Sequence, residues 1–265
     1  TTSISIGMAI AGGAMVAKSL GQNKPKLATE LLTHVLMVGV VFALIFASVI
    51  YLNLYGLTAL IGATGNTQEL AVSYLKILIP SMPILLIGIV ASAALRSYGA
   101  AQLSMVVILV AGVVNAILDP IFIFTLEMGL DGAAWASVVS RIAMAAVAVG
   151  YIMRRYEGFS GCSFMAVRRD LKPISAIAIP AMLANIAAPI GGAYVIKVAA
   201  EFGESAVAGM AIIGRVTPVA FALIFAMSGA IGPIIGQNFG AGQHHRVRQA
   251  FNSSMALVVM YVIPV

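Results

Sequence analysis

Asn115 and Asp119 stand four residues apart in the apolar stretch GVVNAILDPIFIF, residues 112–124. On a helix that spacing places an amide and a carboxylate on one face. Pro120 follows directly. Proline has no N–H, and its ring clashes with the carbonyl four residues back, so the helix is expected to kink there and free the carbonyl of Ala116. Ser137, in the next apolar run, adds a hydroxyl. Counted from the run ends, Asp119 and Ser137 lie about 10 Å and about 8 Å below the same surface. A carboxylate, an amide oxygen, a hydroxyl and a released carbonyl are hard oxygen donors of the kind that hold Na⁺. The same carboxylate can instead carry a proton. The alternative is structural: Asp119 protonated or paired for packing, with Asn115 and Ser137 serving as polar ties between helices.

These groups need walls, and the composition says what the walls are made of. Of 265 residues, 61% are hydrophobic and 9% charged, with a mean hydropathy of +1.05. Soluble domains carry roughly 25% charged residues. So few charges cannot cover a water-facing surface, and the chain reads as an all-α polytopic membrane protein. Eight apolar runs stand out: 1–17, 28–52, 69–95, 102–126, 132–153, 173–200, 204–236 and 248–265. They are too long for barrel strands and lack period-two alternation. A membrane enzyme would need a cluster such as HExxH, GxSxG or a paired acid set, and the sequence has none. A scaffold without transport would leave Asp119 unexplained. The histidines are scattered and Cys162 is alone, so neither a metal set nor an internal disulfide framework is expected.

The loops alternate in charge. Lys18, Lys24 and Lys26 flank the first turn, Arg96 the third, Arg154, Arg155, Arg168, Arg169 and Lys172 the fifth, and Arg246 and Arg248 the last. The loops between carry no Lys or Arg, but hold Glu127 and Asp131, and Glu201 and Glu204. By the positive-inside rule the basic loops are cytoplasmic. The net charge of +6 is therefore an orientation signal with lipid-head contact, not a nucleic-acid surface. Inside the runs, Arg141 and Arg215 fall near the midplane. No acid in the second half lies at their depth. Each faces a cavity, where it could touch substrate, or pairs with a partner elsewhere.

GAMVAKSLGQNKPKL (13–27) and GPIIGQNFGAGQHHR (232–246) both close an apolar run and open a basic loop. Gly13 aligns with Gly232 and Gly21 with Gly240, a shift of 219 residues. Parallel repeats of this kind mark secondary transporters. If the repeat is real, roughly 50 residues precede Thr1 and roughly 110 follow Val265 in a twelve-span protein of two six-helix lobes. The expected division is an N-terminal lobe over 1–153 lacking its first helix, an inter-lobe loop over 154–172, and the start of a C-terminal lobe over 173–265.

The segments NAILDP (115–120), DGAAWASVVS (131–140), ALRSYGAAQLSM (94–105) and GPIIGQNFGAG (232–242) resemble the multidrug and toxic compound extrusion (MATE) family. The likeness leans to its DNA-damage-inducible branch, whose ion site lies in the N-terminal lobe. The stretch IPAMLANIAAPIGG (179–192) has no acid of the kind the C-lobe branch carries. The resemblance implies a MATE-like two-lobe bundle and a non-enzymatic antiporter. It would export small organic, mostly cationic, compounds in exchange for H⁺ or Na⁺, with no cofactor. It assigns Asp119, Asn115 and Ser137 to the ion site. A flippase for lipid-linked or polyprenyl substrates is the alternative of the same architecture, and Arg141 and Arg215 keep it open. The expected setting is the inner (plasma) membrane, as a monomer in contact with lipid and with no nucleic-acid partner.

Overall fold

The computed structural model describes residues 2–60, 63–156, 158–161 and 163–263. Cys162 and the outermost residues of the first and last expected runs lie outside them. Helices follow one another with short turns: α1 (Thr2–Gly21), α2 (Pro25–Leu52), α3 (Leu54–Leu60), α4 (Gly65–Leu78), a 3₁₀ turn (Ile79–Ser81), α5 (Met82–Ser97), α6 (Ala101–Pro120), a π-helical turn (Ile121–Thr125), α7 (Gly129–Arg155), α8 (Phe164–Ala200), α9 (Glu204–Ala220), α10 (Ala222–Gly240) and α11 (His244–Val262). No strand occurs among the described residues. Seven spans among them are long and apolar enough to cross a membrane, with Gly65–Ser97 and Ala101–Thr125 each counted as one.

Three boundaries differ from expectation. The run 204–236 is broken at Phe221 (φ −106°, ψ 18°), whose N–H bonds the Thr217 carbonyl at 2.9 Å. Pro218, inside the last turn of α9, has no N–H for the Gly214 carbonyl and weakens that turn. The loop at 53–68 contains the short helix α3, tied down by Gln68 Nε2–H on the Tyr55 carbonyl at 3.0 Å. And α8 begins at Phe164 and runs through Pro173.

Helix α1 sits at the centre, packed against α2, α5, α8 and α10. Its small residues explain why. With lipid outside, there is little hydrophobic drive to bring helices together, and close backbone approach through Gly and Ala takes its place. A methyl on Gly12 would lie 3.1 Å from Val35, and one on Gly13 lies 3.5 Å from the Ser97 hydroxyl, which donates to the Gly13 carbonyl at 2.9 Å. Leu32, Val35, Leu86, Val90 and Leu95 complete a fully buried core around it. Gln237 of α10 donates to the Ser97 carbonyl at 2.7 Å and ties α10 to the end of α5.

The 219-residue shift is reproduced by the backbone itself. α1 ends at Gly21 and α10 at Gly240, while α2 begins at Pro25 and α11 at His244. In the first turn Gln22 bonds Lys18, Asn23 bonds Leu20 and Lys24 bonds Ser19; in the second Ala241 bonds Gln237, Gly242 bonds Phe239 and Gln243 bonds Asn238. The left-handed residue falls at the same place, Asn23 (φ 57°) and Gly242 (φ 72°). The two copies also touch as a pseudo-symmetric pair. Gly21 lies against Gln237 and Gly240 against Lys18, and Gly236 lies against Ala17. Shifting one partner forward and the other back by 219 converts the first contact into the second.

Candidate functional site

Residues 115 and 119 sit on α6 as the spacing requires. Exposed Met105, Leu109, Val113 and Ile117 mark its outer stripe, whereas Asn115 and Asp119 share the other half with buried Ser104 and Val107. That half faces α5 and α7. Both polar side chains are half-buried, and Asn115 Nδ2–H donates to Asp119 Oδ1 at 3.3 Å. Pro120 gives no N–H to the Ala116 carbonyl, and the Ile121 N–H turns back to Leu118. Regular helix holds up to Pro120, and the departure from it is the π turn at Ile121–Thr125, closed by the Leu126 N–H on the Ile121 carbonyl at 2.9 Å. The irregularity therefore lies one turn beyond the expected kink at 116–120. Such single π turns often accompany functional sites.

Two contacts set the register of α6 on α7. Ser140 Oγ–H donates to the Ala111 carbonyl at 2.7 Å, and Gly132 packs on the backbone of Phe122. Interpolated between them, Ser137 is level with Asn115, and Asp119 is about 6 Å nearer the acidic link. Among the described residues no hydrogen bond joins Ser137 to Asp119 or Asn115. The expected depth match fails for a local reason. Glu127 (φ 52°) and Gly129 (φ 56°) reverse the chain tightly, so α7 starts before the apolar run does. The structure thus brings the carboxylate and the amide together and sets the hydroxyl beside the amide.

Arg141 has its partner within the chain. The 3₁₀ turn sends the Met82 N–H to Ile79, which leaves the Leu78 carbonyl without its helical donor. That carbonyl accepts from Ser81 Oγ–H at 2.7 Å and from Arg141 Nη1–H at 3.2 Å, and Arg141 also donates to Ser81 Oγ at 2.7 Å. Of the two expected readings, a cavity or a structural partner, these bonds supply the partner: the guanidinium caps an interrupted helix. Pro80 and Pro83 stand at the interruption, but nothing in the sequence pointed to Ser81 as the acceptor. Arg215 is exposed and makes no hydrogen bond among the described residues.

A second polar centre lies at the basic end. His34 is fully buried, and its Nδ1 is 2.7 Å from Asp170 Oδ2; its Nε2 has no partner. Asp170 also accepts from Arg169 Nε–H at 2.7 Å and Nη2–H at 3.0 Å, and Arg169 reaches Glu30 at 3.2 Å. One helical face of α2, at 30, 33 and 34, thereby holds the start of α8 and the loop before it, since Ser160 N–H bonds Thr33. Glu30, His34 and Asp170 bring possible metal-ligand atoms within 4.8 Å of one another, a grouping the scattered histidines did not announce. Arg169 already occupies the place a cation would take.

Membrane-length helices, an internal parallel repeat and a carboxylate held inside one span define the class, a polytopic membrane protein with the architecture of secondary transporters. The MatE family model matches residues 1–121 and 180–265, and the chain belongs to that family. It is 24% identical over 266 residues to the FAD transporter of Shewanella oneidensis, covering 98% of this chain and 59% of the relative. It is 29% identical over 210 residues to the multidrug export protein MepA of Staphylococcus aureus, covering 78% of this chain and 46% of that one. Among solved structures, the Vibrio cholerae MATE transporter VcmN superposes with a TM-score of 0.92 at 27% identity, covering 98% of this chain and 59% of the other. A MOP superfamily transporter from Pyrococcus furiosus gives 0.90 at 22% identity, covering 99% and 59%. The chain spans about half the length of these relatives.

Proposed function

We propose that the whole protein is a secondary active antiporter that exports organic compounds in exchange for H⁺ or Na⁺, with Asp119 as its coupling carboxylate. The observation that carries this is the Asn115–Asp119 pair, half-buried in a membrane span where Pro120 opens the helical ladder. Intramembrane acids are costly and are retained for function. Asn115 holds the carboxylate, the Ala116 carbonyl adds an oxygen, and Ser137 joins when the helices shift by about a turn. The named cargoes of the relatives differ, a flavin dinucleotide in one and multiple drugs in the other. A preference for cations follows only if Asp119 also faces the substrate. We further propose the two-lobe division at 154–172, a monomer in the plasma membrane, and basic loops on the cytoplasmic side. The flippase reading loses one support, since Arg141 is engaged with the backbone. The test is Asp119→Asn in the full-length transporter. It should reach the membrane normally and lose ion-driven efflux by at least tenfold. Parental efflux at equal expression would remove Asp119 from the coupling role.

A further inference from the structure

At the basic end an apolar groove of about 740 Å³ runs between α2 and the start of α8. Met37, Val41 and Ile45 form one wall, at four-residue steps along α2. Phe164, Arg168 and Leu171 form the other, on one face of α8. We propose that this groove binds an anionic phospholipid of the adjacent leaflet, with an acyl chain along α2 and the phosphate on Arg168.

The wall on α8 is a surface segment. The 37-residue α8 extends about 55 Å, well beyond the hydrocarbon core of about 30 Å, and its first turns carry Arg168, Arg169, Asp170 and Lys172. Those turns belong at the headgroup level. They are also fixed there, because Arg169 and Asp170 are tied to Glu30 and His34. The neighbouring face is unsatisfied in two respects. Phe164 is 84% exposed and Ile45 57%, so the groove has no protein cover. Arg168 has no ion pair or hydrogen bond among the described residues, in contrast to Arg169 beside it.

From Met37 to Ile45 the groove rises about 12 Å, most of the half-thickness of about 15 Å available to one leaflet. An apolar slot of that length with one free guanidinium at its headgroup end complements a single negatively charged lipid. A second protein helix would fill the slot and leave the guanidinium unpaired. The inference does not depend on the coupling role of Asp119.

Full-length protein carrying Phe42→Trp, a substitution within the groove wall, is reconstituted in phosphatidylcholine vesicles. It is titrated with phosphatidylglycerol or phosphatidylcholine brominated on the acyl chains. Quenching is taken as the difference from the parent without that tryptophan. One Lys or Arg near the surface favours an anionic lipid about fivefold, so brominated phosphatidylglycerol should quench at about a fifth of the concentration. In Arg168→Gln the two lipids should quench alike. Equal quenching by the two lipids in the Phe42→Trp protein would mean ordinary boundary lipid, and an unchanged ratio once Arg168→Gln is added would put the phosphate elsewhere. No quenching by either would mean a protein segment covers the groove. Each of these overturns the proposal. Native mass spectrometry of the protein without the tryptophan, with and without Arg168→Gln, should show retained phosphatidylglycerol falling by the same factor, which guards against a distorted reporter.

Discussion

Gly240→Ala is the sharpest test of the pseudo-symmetric crossing of α1 and α10. A glycine-to-alanine change within a helix ordinarily stabilises by about 0.5–1 kcal/mol, because glycine loses more backbone freedom on folding. Here the sign should reverse. A methyl at Gly21 would stand 2.7 Å from the carbonyl carbon of Gln237, and one at Gly240 would press equally on the backbone of Lys18. Carbon pairs rest at about 3.5–4.0 Å, so the helices must part by roughly 1 Å. The obstructing atoms are main chain, and no rotamer change relieves them. Overpacking of this kind costs about 1–3 kcal/mol, or about 2–12 °C in Tm for a chain of this size. Parting the helices also stretches the Gln237 bond to Ser97. Ser19, 3% exposed on α1 near the crossing, should then become reachable from the basic side. The assays are thermal denaturation of the detergent-solubilised full-length protein, and maleimide labelling of Ser19→Cys in a Cys162→Ala background. Gly21→Ala should behave like Gly240→Ala. The double variant should lose less than the sum, since the first methyl already separates the pair. Gly112→Ala on α6, where a methyl meets nothing within 4 Å, is the control and should be neutral or stabilising. A Gly240→Ala protein as stable as that control, with Ser19→Cys labelling unchanged, would refute the close crossing.

Pro120→Ala returns a donor to the Ala116 carbonyl and should raise the half-saturating Na⁺ or H⁺ concentration for transport severalfold; an unchanged value would make the proline a packing feature alone. Arg141→Leu removes two charge-assisted hydrogen bonds, to the Leu78 carbonyl and to Ser81 Oγ, and should destabilise by about 1.5–3 kcal/mol, with Arg141→Lys recovering part; a Leu variant of parental Tm would return Arg141 to a role in the cavity. In the Cys162→Ala background, cysteine at Asn66 should label from outside the cell and cysteine at Lys24 should not; the opposite pattern would invert the proposed topology.

Much of this architecture was legible, for physical reasons. A chain with 9% charged residues has to bury its backbone in helices, and the apolar runs mark where those helices go. The repeat could be read from a few glycines because glycine is demanded where two backbones touch, as Gly21 and Gly240 do. The Asn115–Asp119 pair could be read because both residues lie on one helix, where spacing fixes direction. Contacts between helices were another matter. His34 and Asp170 are 136 residues apart, and Arg141 and Ser81 are 60. No periodicity relates such positions; only the packed bundle does. Ser137 was set too far out because depth was counted from the ends of apolar runs, while the true reversal is governed by the left-handed backbone at Glu127 and Gly129.

The sites share one cause. At Pro120 and around Pro80 and Pro83, proline interrupts the ladder, and a carbonyl is left inside the membrane where water cannot satisfy it. At Leu78 that need is met by Arg141 and Ser81. Next to Ala116 on the same helix stand the Asn115 amide and the Asp119 carboxylate, and no arginine hydrogen-bonds to them among the described residues. The first interruption is closed by the protein's own cation. The second has the Asn115–Asp119 pair beside it, and under the proposed function a proton or Na⁺ supplies the positive partner. On that proposal, the structural arginine site and the transport site differ in which interruption the sequence leaves for a mobile cation to fill.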